Sequence, residues 1–164
     1  MNKSLEKLKK IQELCMFHEL KISTAESCTG GYISKLITDI SGSSKFYVGS
    51  IIAYSNNVKH DLLNVPSDVI QKYGAVSREV SKLMADGLFN SVNCNIAIAT
   101  TGIMEIDESN KSKMPQVFIT IKSENTYLMS HFHLHGNRQE NRQSTVNHTF
   151  DCLYDFIHKN YLVS

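Results

Sequence analysis

The chain has 164 residues, 41% of them hydrophobic, enough for one layered core and too little for two substantial domains. A formal charge of +1 gives no basis for a nucleic-acid surface, and no apolar run approaches membrane-spanning length. The lysine-rich start lacks a signal-peptide apolar stretch, and Cys15, Cys28, Cys94 and Cys152 are too widely spaced for a zinc knuckle or a disulfide framework, so reduced thiols and a cytoplasmic location are expected.

Leu5, Leu8, Ile11 and Cys15 recur at helical spacing and predict an amphipathic first helix, followed by a strand over Leu20 to Ala25. A polar cluster from Ser23 to Gly31 leads into Ile33, Leu36, Ile37 and Ile40, one face of a second helix. Phe46 to Tyr54 reads as a buried strand delivering Tyr54 at its end, with Ser55, Asn56, Asn57 and Lys59 in the polar stretch beyond. Pro66 and Ser67 open a short helix that Gly74 closes, and Ser77 is the N-cap of a longer one carrying Val80, Leu83, Met84 and Leu88. A buried strand over Ile96 to Thr100 ends at Thr101-Gly102, and about a dozen polar residues separate it from a strand over Val117 to Ile121. Glu124-Asn125 turns the chain into a partner strand over Tyr127 to Leu134, and Val146, Phe150, Leu153, Ile157 and Tyr161 mark the last helix. This alternation predicts a single α/β domain over residues 1–164, a three-layer α/β/α sandwich on a mostly parallel mixed sheet.

In such sheets ligands gather beyond the C-terminal ends of the parallel strands, where Ser27 to Gly31, Tyr54 to Lys59 and Thr101-Gly102 are expected to converge. Ser27 reads either as a nucleophile or as a cap of the second helix, and Cys28 as a rival nucleophile or a buried thiol. Lys59 could serve as base if burial lowers its pKa, or stand as a solvated charge. Tyr54 could relay a proton or simply pack, and the N–H groups of Thr29 and Gly30 are candidates for an oxyanion site.

The ordered segments Ala25-Glu26-Ser27-Cys28-Thr29-Gly30-Gly31, Tyr54-Ser55-Asn56 with Lys59, Gly74-Ala75-Val76-Ser77, Thr101-Gly102-Ile103 and Gly136 with Arg138 and Arg142 resemble the motifs of the CinA C-terminal domain family. That family includes stand-alone nicotinamide-nucleotide amidases. The resemblance implies hydrolysis of the carboxamide of nicotinamide mononucleotide to nicotinic acid mononucleotide and ammonia, in pyridine-nucleotide salvage. It implies Ser27 as nucleophile, Lys59 as base and Tyr54 as helper, with Cys28, Thr29, Gly30, Gly31, Thr101 and Gly102 lining the substrate and Arg138 and Arg142 clamping its phosphate. It also implies no metal or other cofactor, a small-molecule nucleotide as partner rather than nucleic acid or membrane, and self-association.

The chain departs from the family after Ile103. Where the family continues Ala-Gly-Pro with further glycines, this chain has Met104-Glu105-Ile106-Asp107-Glu108 and no glycine until Gly136, and Lys113-Met114-Pro115 stands where Pro-Val-Gly is usual. Glu105, Asp107 and Glu108 set negative charge where a phosphate is expected, with Lys111 and Lys113 as offsets. Asn137 replaces the family's aspartate before Arg138. These changes leave open a catalytically silent nucleotide-binding or regulatory domain, or an amidase for a less phosphorylated carboxamide. Finally, His131, His133 and His135 alternate along the late strand, which reads as a polar outer face or as a metal-ligating one.

Overall fold

The central strand sets the layout of the molecule. In the computed structural model, which describes residues 3–106 and 114–162, β3 spans Ile96–Ile103 and alternates isoleucine with alanine at its start. Because side chains on a strand alternate between faces, Ile96 and Ile98 meet one helical layer while Ala97 and Ala99 meet the other. The isoleucine face packs against α1 (Lys3–Phe17), α2 (Tyr32–Thr38) and α6 (Arg138–Tyr161) through Leu8, Ile11, Ile33, Ile37, Val146 and Phe150. The alanine face lets α5 (Arg78–Ser91) approach closely and also receives α3 (Asn56–Leu63) and α4 (Ser67–Tyr73).

Flanking β3 are β1 (Ile22–Glu26), β2 (Tyr47–Ile52), β4 (Gln116–Lys122) and β5 (Tyr127–His133), in the order β2-β1-β3-β4-β5. β1 pairs in parallel with both β2 and β3, and β4 runs against β3 and β5, so four strands share one direction and β4 alone opposes them. The three-layer, mostly parallel mixed sheet is therefore as expected.

Two local expectations change. β2 is a half-exposed edge strand rather than a buried one, because nothing pairs with its outer side among the described residues. β3 does not stop at Thr101-Gly102 but runs on to Ile103, held by antiparallel pairing to Gln116 on β4. Lys59, in the polar stretch after Tyr54, stands on α3: Ser55 caps that helix, its Oγ accepting from Val58 N–H at 3.3 Å.

Close packing fixes where α3 lies. An added Cβ on Gly87 would stand 1.8 Å from the Leu63 carbonyl oxygen, so glycine is what allows α5 to cross the end of α3. The register then aligns the site, since Glu26 sits opposite both Ile52 and Thr100. β1 and β2 thus finish level with Thr100 of β3, which runs on to Ile103, and Ser27, Tyr54 and Thr101 come to one edge of the sheet.

Candidate active site

Ser27 follows the last residue of β1. Its N–H donates to Thr100 O at 3.0 Å, and Gly30 N–H donates back to Ser27 O at 3.1 Å, closing a tight turn before α2. Lys59, one turn into α3, reaches back beneath it: Nζ lies 3.0 Å from Ser27 Oγ, 2.8 Å from Ala53 O and 3.2 Å from Tyr54 O. The lysine is only 1% exposed. No carboxylate among the described residues forms an ion pair with it. Burial lowers its pKa from the ordinary lysine value of 10.5. Two carbonyls can accept only protons from this amine, so the neutral form places its lone pair toward Ser27.

Glu26, adjacent to Ser27 and fully buried, holds the turn from below. Its Oε2 accepts from the N–H groups of Gly31 (3.0 Å) and Ile33 (3.1 Å), and its Oε1 from Ser34 N–H (2.9 Å), Ser34 Oγ (2.6 Å) and Thr24 Oγ1 (3.3 Å). The carboxylate therefore occupies the start of α2, where free N–H groups would otherwise attract an anion. Ser27 is not the cap of that helix. Gly30 N–H is likewise committed to Ser27 O, which removes it as an oxyanion donor. Among the described residues the N–H groups of Cys28 and Thr29 meet no backbone acceptor.

Ser27, Cys28, Tyr54, Lys59, Thr101, Gly102 and Arg138 line one cleft of about 650 Å³. A more open depression of about 800 Å³ beside Cys94 and Glu124, before β3 begins, holds none of them. Within the cleft, burial pushes the Cys28 thiol up to about 12, which removes it as a rival nucleophile near neutral pH. Thr101 Oγ1 donates to Ala75 O at 2.8 Å. Gly102 is required by its neighbouring strand, since an added Cβ would lie 2.5 Å from Gln116 O.

Tyr54 takes a different part from the one expected. Its side chain is 62% exposed and its hydroxyl accepts from Arg138 Nη2 at 3.0 Å, while only its backbone carbonyl touches Lys59. The hydroxyl is thus turned to the rim rather than to the serine.

Four expected ligand residues fall outside the cleft. The Thr29 hydroxyl is buried against Thr100 Oγ1 at 3.0 Å, and Gly30 and Gly31 shape the turn with φ of 58° and 94°, values that favour glycine. Arg142 does not join Arg138. It donates from Nη2 to Thr29 O at 2.6 Å and lies over the Tyr32 ring, 5.7 Å from its centroid, bracing the turn from α6.

Sequence reasoning missed one residue, Asn141, and singled out Glu105 for its charge without its partner. Asn141, buried on α6, donates to Met104 O (2.7 Å) and Gly136 O (2.8 Å) and accepts from Gly136 N–H (2.9 Å), tying the rebuilt loop to the helix start. Glu105 Oε1 accepts from Arg138 Nη1 at 2.9 Å. Glu26 was visible inside the motif, five to eight residues ahead of the N–H groups it accepts from, whereas Asn141 carries no local signal. Asp107, Glu108, Lys111 and Lys113 lie outside the described residues.

Asn137 replaces the family's aspartate without loss of the cap: it accepts from Glu140 N–H at 3.0 Å, and Glu140 Oε2 accepts from Asn137 N–H at 2.9 Å. His131 stacks on Phe118 with centroids 4.3 Å apart and lies 2.8 Å from Gln116 Oε1, while His135 stands beyond the end of β5. No group of three metal-ligating side chains converges among the described residues. Among them, too, no helix is long and apolar enough to cross a membrane.

The fold and site define a three-layer α/β protein with a serine–lysine couple at the C-terminal edge of its parallel strands. Residues 4–157 match the CinA C-terminal domain, and the chain belongs to that family. It is 39% identical over 144 residues to a CinA-like protein of Amoebophilus asiaticus, covering 87% of this chain and 35% of that one. It is 40% identical over 137 residues to the protein MG115 homolog of Mycoplasma pneumoniae, covering 83% of this chain and 87% of that one. The chain thus spans about a third of the longer curated relatives it matches. Among solved structures, the competence/damage inducible protein CihA of Agrobacterium tumefaciens superposes with a TM-score of 0.86 at 32% identity, covering 94% of this chain and 96% of that one. A CinA superfamily protein of Klebsiella pneumoniae superposes at 0.90 with 19% identity, over 96% and 99% of the two chains, a likeness of fold.

Proposed function

We infer that this protein is an amidohydrolase acting on a nicotinamide-nucleotide carboxamide, with Ser27 as nucleophile and Lys59 as its base. Nicotinamide mononucleotide is the substrate to which the family resemblance points. The observation that carries the reading is the 3.0 Å contact between Ser27 Oγ and a buried amine that has no carboxylate partner among the described residues. An amine so placed gains nothing from an ion pair and keeps a lowered pKa, which is what a base at this position needs.

The chemistry proceeds in two halves. Neutral Lys59 takes the hydroxyl proton as Ser27 Oγ bonds to the carboxamide carbon, and the carbonyl π pair moves onto oxygen. The N–H groups of Cys28 and Thr29 are the donors available to that oxyanion. As the carbon–nitrogen bond breaks, the Lys59 ammonium returns its proton to the leaving nitrogen, which departs as ammonia and leaves an acyl-serine. Water then adds to the acyl carbon, giving its proton to the same amine, and collapse releases the carboxylic acid and restores Ser27.

Ammonia release from nicotinamide mononucleotide tests this directly. Wild-type turnover that falls at least about 100-fold in both Ser27→Ala and Lys59→Ala, with folding intact by circular dichroism, is the expected result. Absence of wild-type turnover, or full activity in either variant, would refute it.

A further inference from the structure

The Tyr54 hydroxyl and the Glu105 carboxylate meet the same guanidinium at the rim of the cleft. Arg138 donates from Nη1 to Glu105 Oε1 at 2.9 Å and from Nη2 to Tyr54 Oη at 3.0 Å. The three residues come from α6, the segment after β3 and the segment after β2, and all three line the cleft that holds Ser27. An arginine has five N–H donors, and among the described residues these two contacts leave three of them for a ligand. The other cations nearby are committed, Lys59 to Ser27 and two carbonyls, and Arg142 to Thr29 O and the face of the Tyr32 ring. Among the described lining residues, Arg138 is thus the cation with donors to spare for a phosphate.

We propose that Tyr54 and Glu105 are positioning residues, which hold Arg138 in place before the nucleotide arrives so that its remaining N–H groups receive the substrate phosphate. This rests on the amidase reading and gives the Tyr54 hydroxyl a part in phosphate recognition instead of one at the reacting bond. A free arginine side chain is rich in rotamers, and binding a phosphate must order it. Tethers on both terminal nitrogens, anchored on different elements, meet that cost during folding. Glu105 also sets a negative charge near the phosphate, which opposes binding. Its pair with Arg138 is half exposed on both sides, so water weakens that repulsion, and Tyr54 tethers the arginine without any charge.

The test is calorimetric binding of nicotinamide mononucleotide and of its dephosphorylated nucleoside to a Ser27→Ala protein. Tyr54→Phe removes an acceptor but no charge and keeps the backbone carbonyl that touches Lys59. It is expected to weaken the mononucleotide about three- to tenfold, to leave the nucleoside unmoved, and to have no further effect once Arg138 is replaced by alanine. Glu105→Ala should weaken the mononucleotide about twofold, its lost tether being partly offset by lost repulsion, and Glu105→Gln, which keeps an acceptor oxygen, should restore the affinity. With Ser27 present, the Tyr54→Phe loss should appear in KM for the mononucleotide rather than in kcat. The proposal is overturned by a mononucleotide affinity that Tyr54→Phe or Glu105→Ala fails to lower, by equal weakening of the nucleoside, by a Tyr54→Phe effect that survives Arg138→Ala, by a loss confined to kcat, or by no binding of the mononucleotide. If the calorimetric pattern holds and no ammonia is released, the amidase reading fails while the positioning role stands.

Discussion

Replacing Glu26 by alanine tests whether the turn bearing Ser27 depends on one buried carboxylate. The substitution leaves the N–H groups of Gly31, Ile33 and Ser34 without their acceptor, that of Ile33 fully buried and the other two partly so. Each buried N–H left unmade costs about 1–3 kcal/mol. Against this stands the gain from no longer desolvating a carboxylate, several kcal/mol in the opposite direction before its own hydrogen bonds are counted. Removing one side of a satisfied buried charge generally costs about 3–5 kcal/mol net, and that is the loss expected for Glu26→Ala. Glu26→Gln keeps the volume and one acceptor oxygen but turns an amide NH2 against existing donors, so about 1–3 kcal/mol is expected. Urea unfolding followed by circular dichroism measures both at unchanged slope. For a chain of this length the alanine variant should melt about 6–20 °C lower. A loss under about 1 kcal/mol for Glu26→Ala would refute the reasoning, because three N–H groups would then have found other acceptors at no cost.

Two further outcomes follow from the same geometry. Because burial lowers the Lys59 pKa, the fraction of neutral amine grows as pH rises through a value below 10.5, so kcat/KM should climb along a basic limb with its midpoint below that figure. The folded state also binds fewer protons at Lys59 than the unfolded chain in that window, so this group's contribution to stability increases with pH up to about 10.5. A pH–rate profile whose limb sits at or above the ordinary lysine value would exclude Lys59 as the base. Gly87→Ala places a methyl group 1.8 Å from Leu63 O, and α3 must move to relieve it. The expected cost is about 3 kcal/mol in urea unfolding, with activity lost because α3 carries Lys59, whereas a change under about 0.5 kcal/mol would show that the two helices can separate freely.

Much of the fold and the heart of the site were legible in the chain itself. Hydrophobic spacing located the helices and the inner strands because a buried face imposes its period on the residues that form it, as the Ile-Ala alternation of β3 and the Val146 to Ile157 stripe of α6 show. The motif around Ser27 and the lysine five residues after Tyr54 pointed to the two side chains that meet in the cleft. Tertiary structure decided which groups were free to act. Whether Arg142 faces a ligand or braces Thr29, whether the Tyr54 hydroxyl points to Ser27 or to Arg138, and which N–H groups remain without an acceptor all depend on partners more than twenty residues away. Local pattern fixes which face of an element is buried, but a hydrogen bond between distant side chains is settled only once the strands are in register and the helices have closed over them.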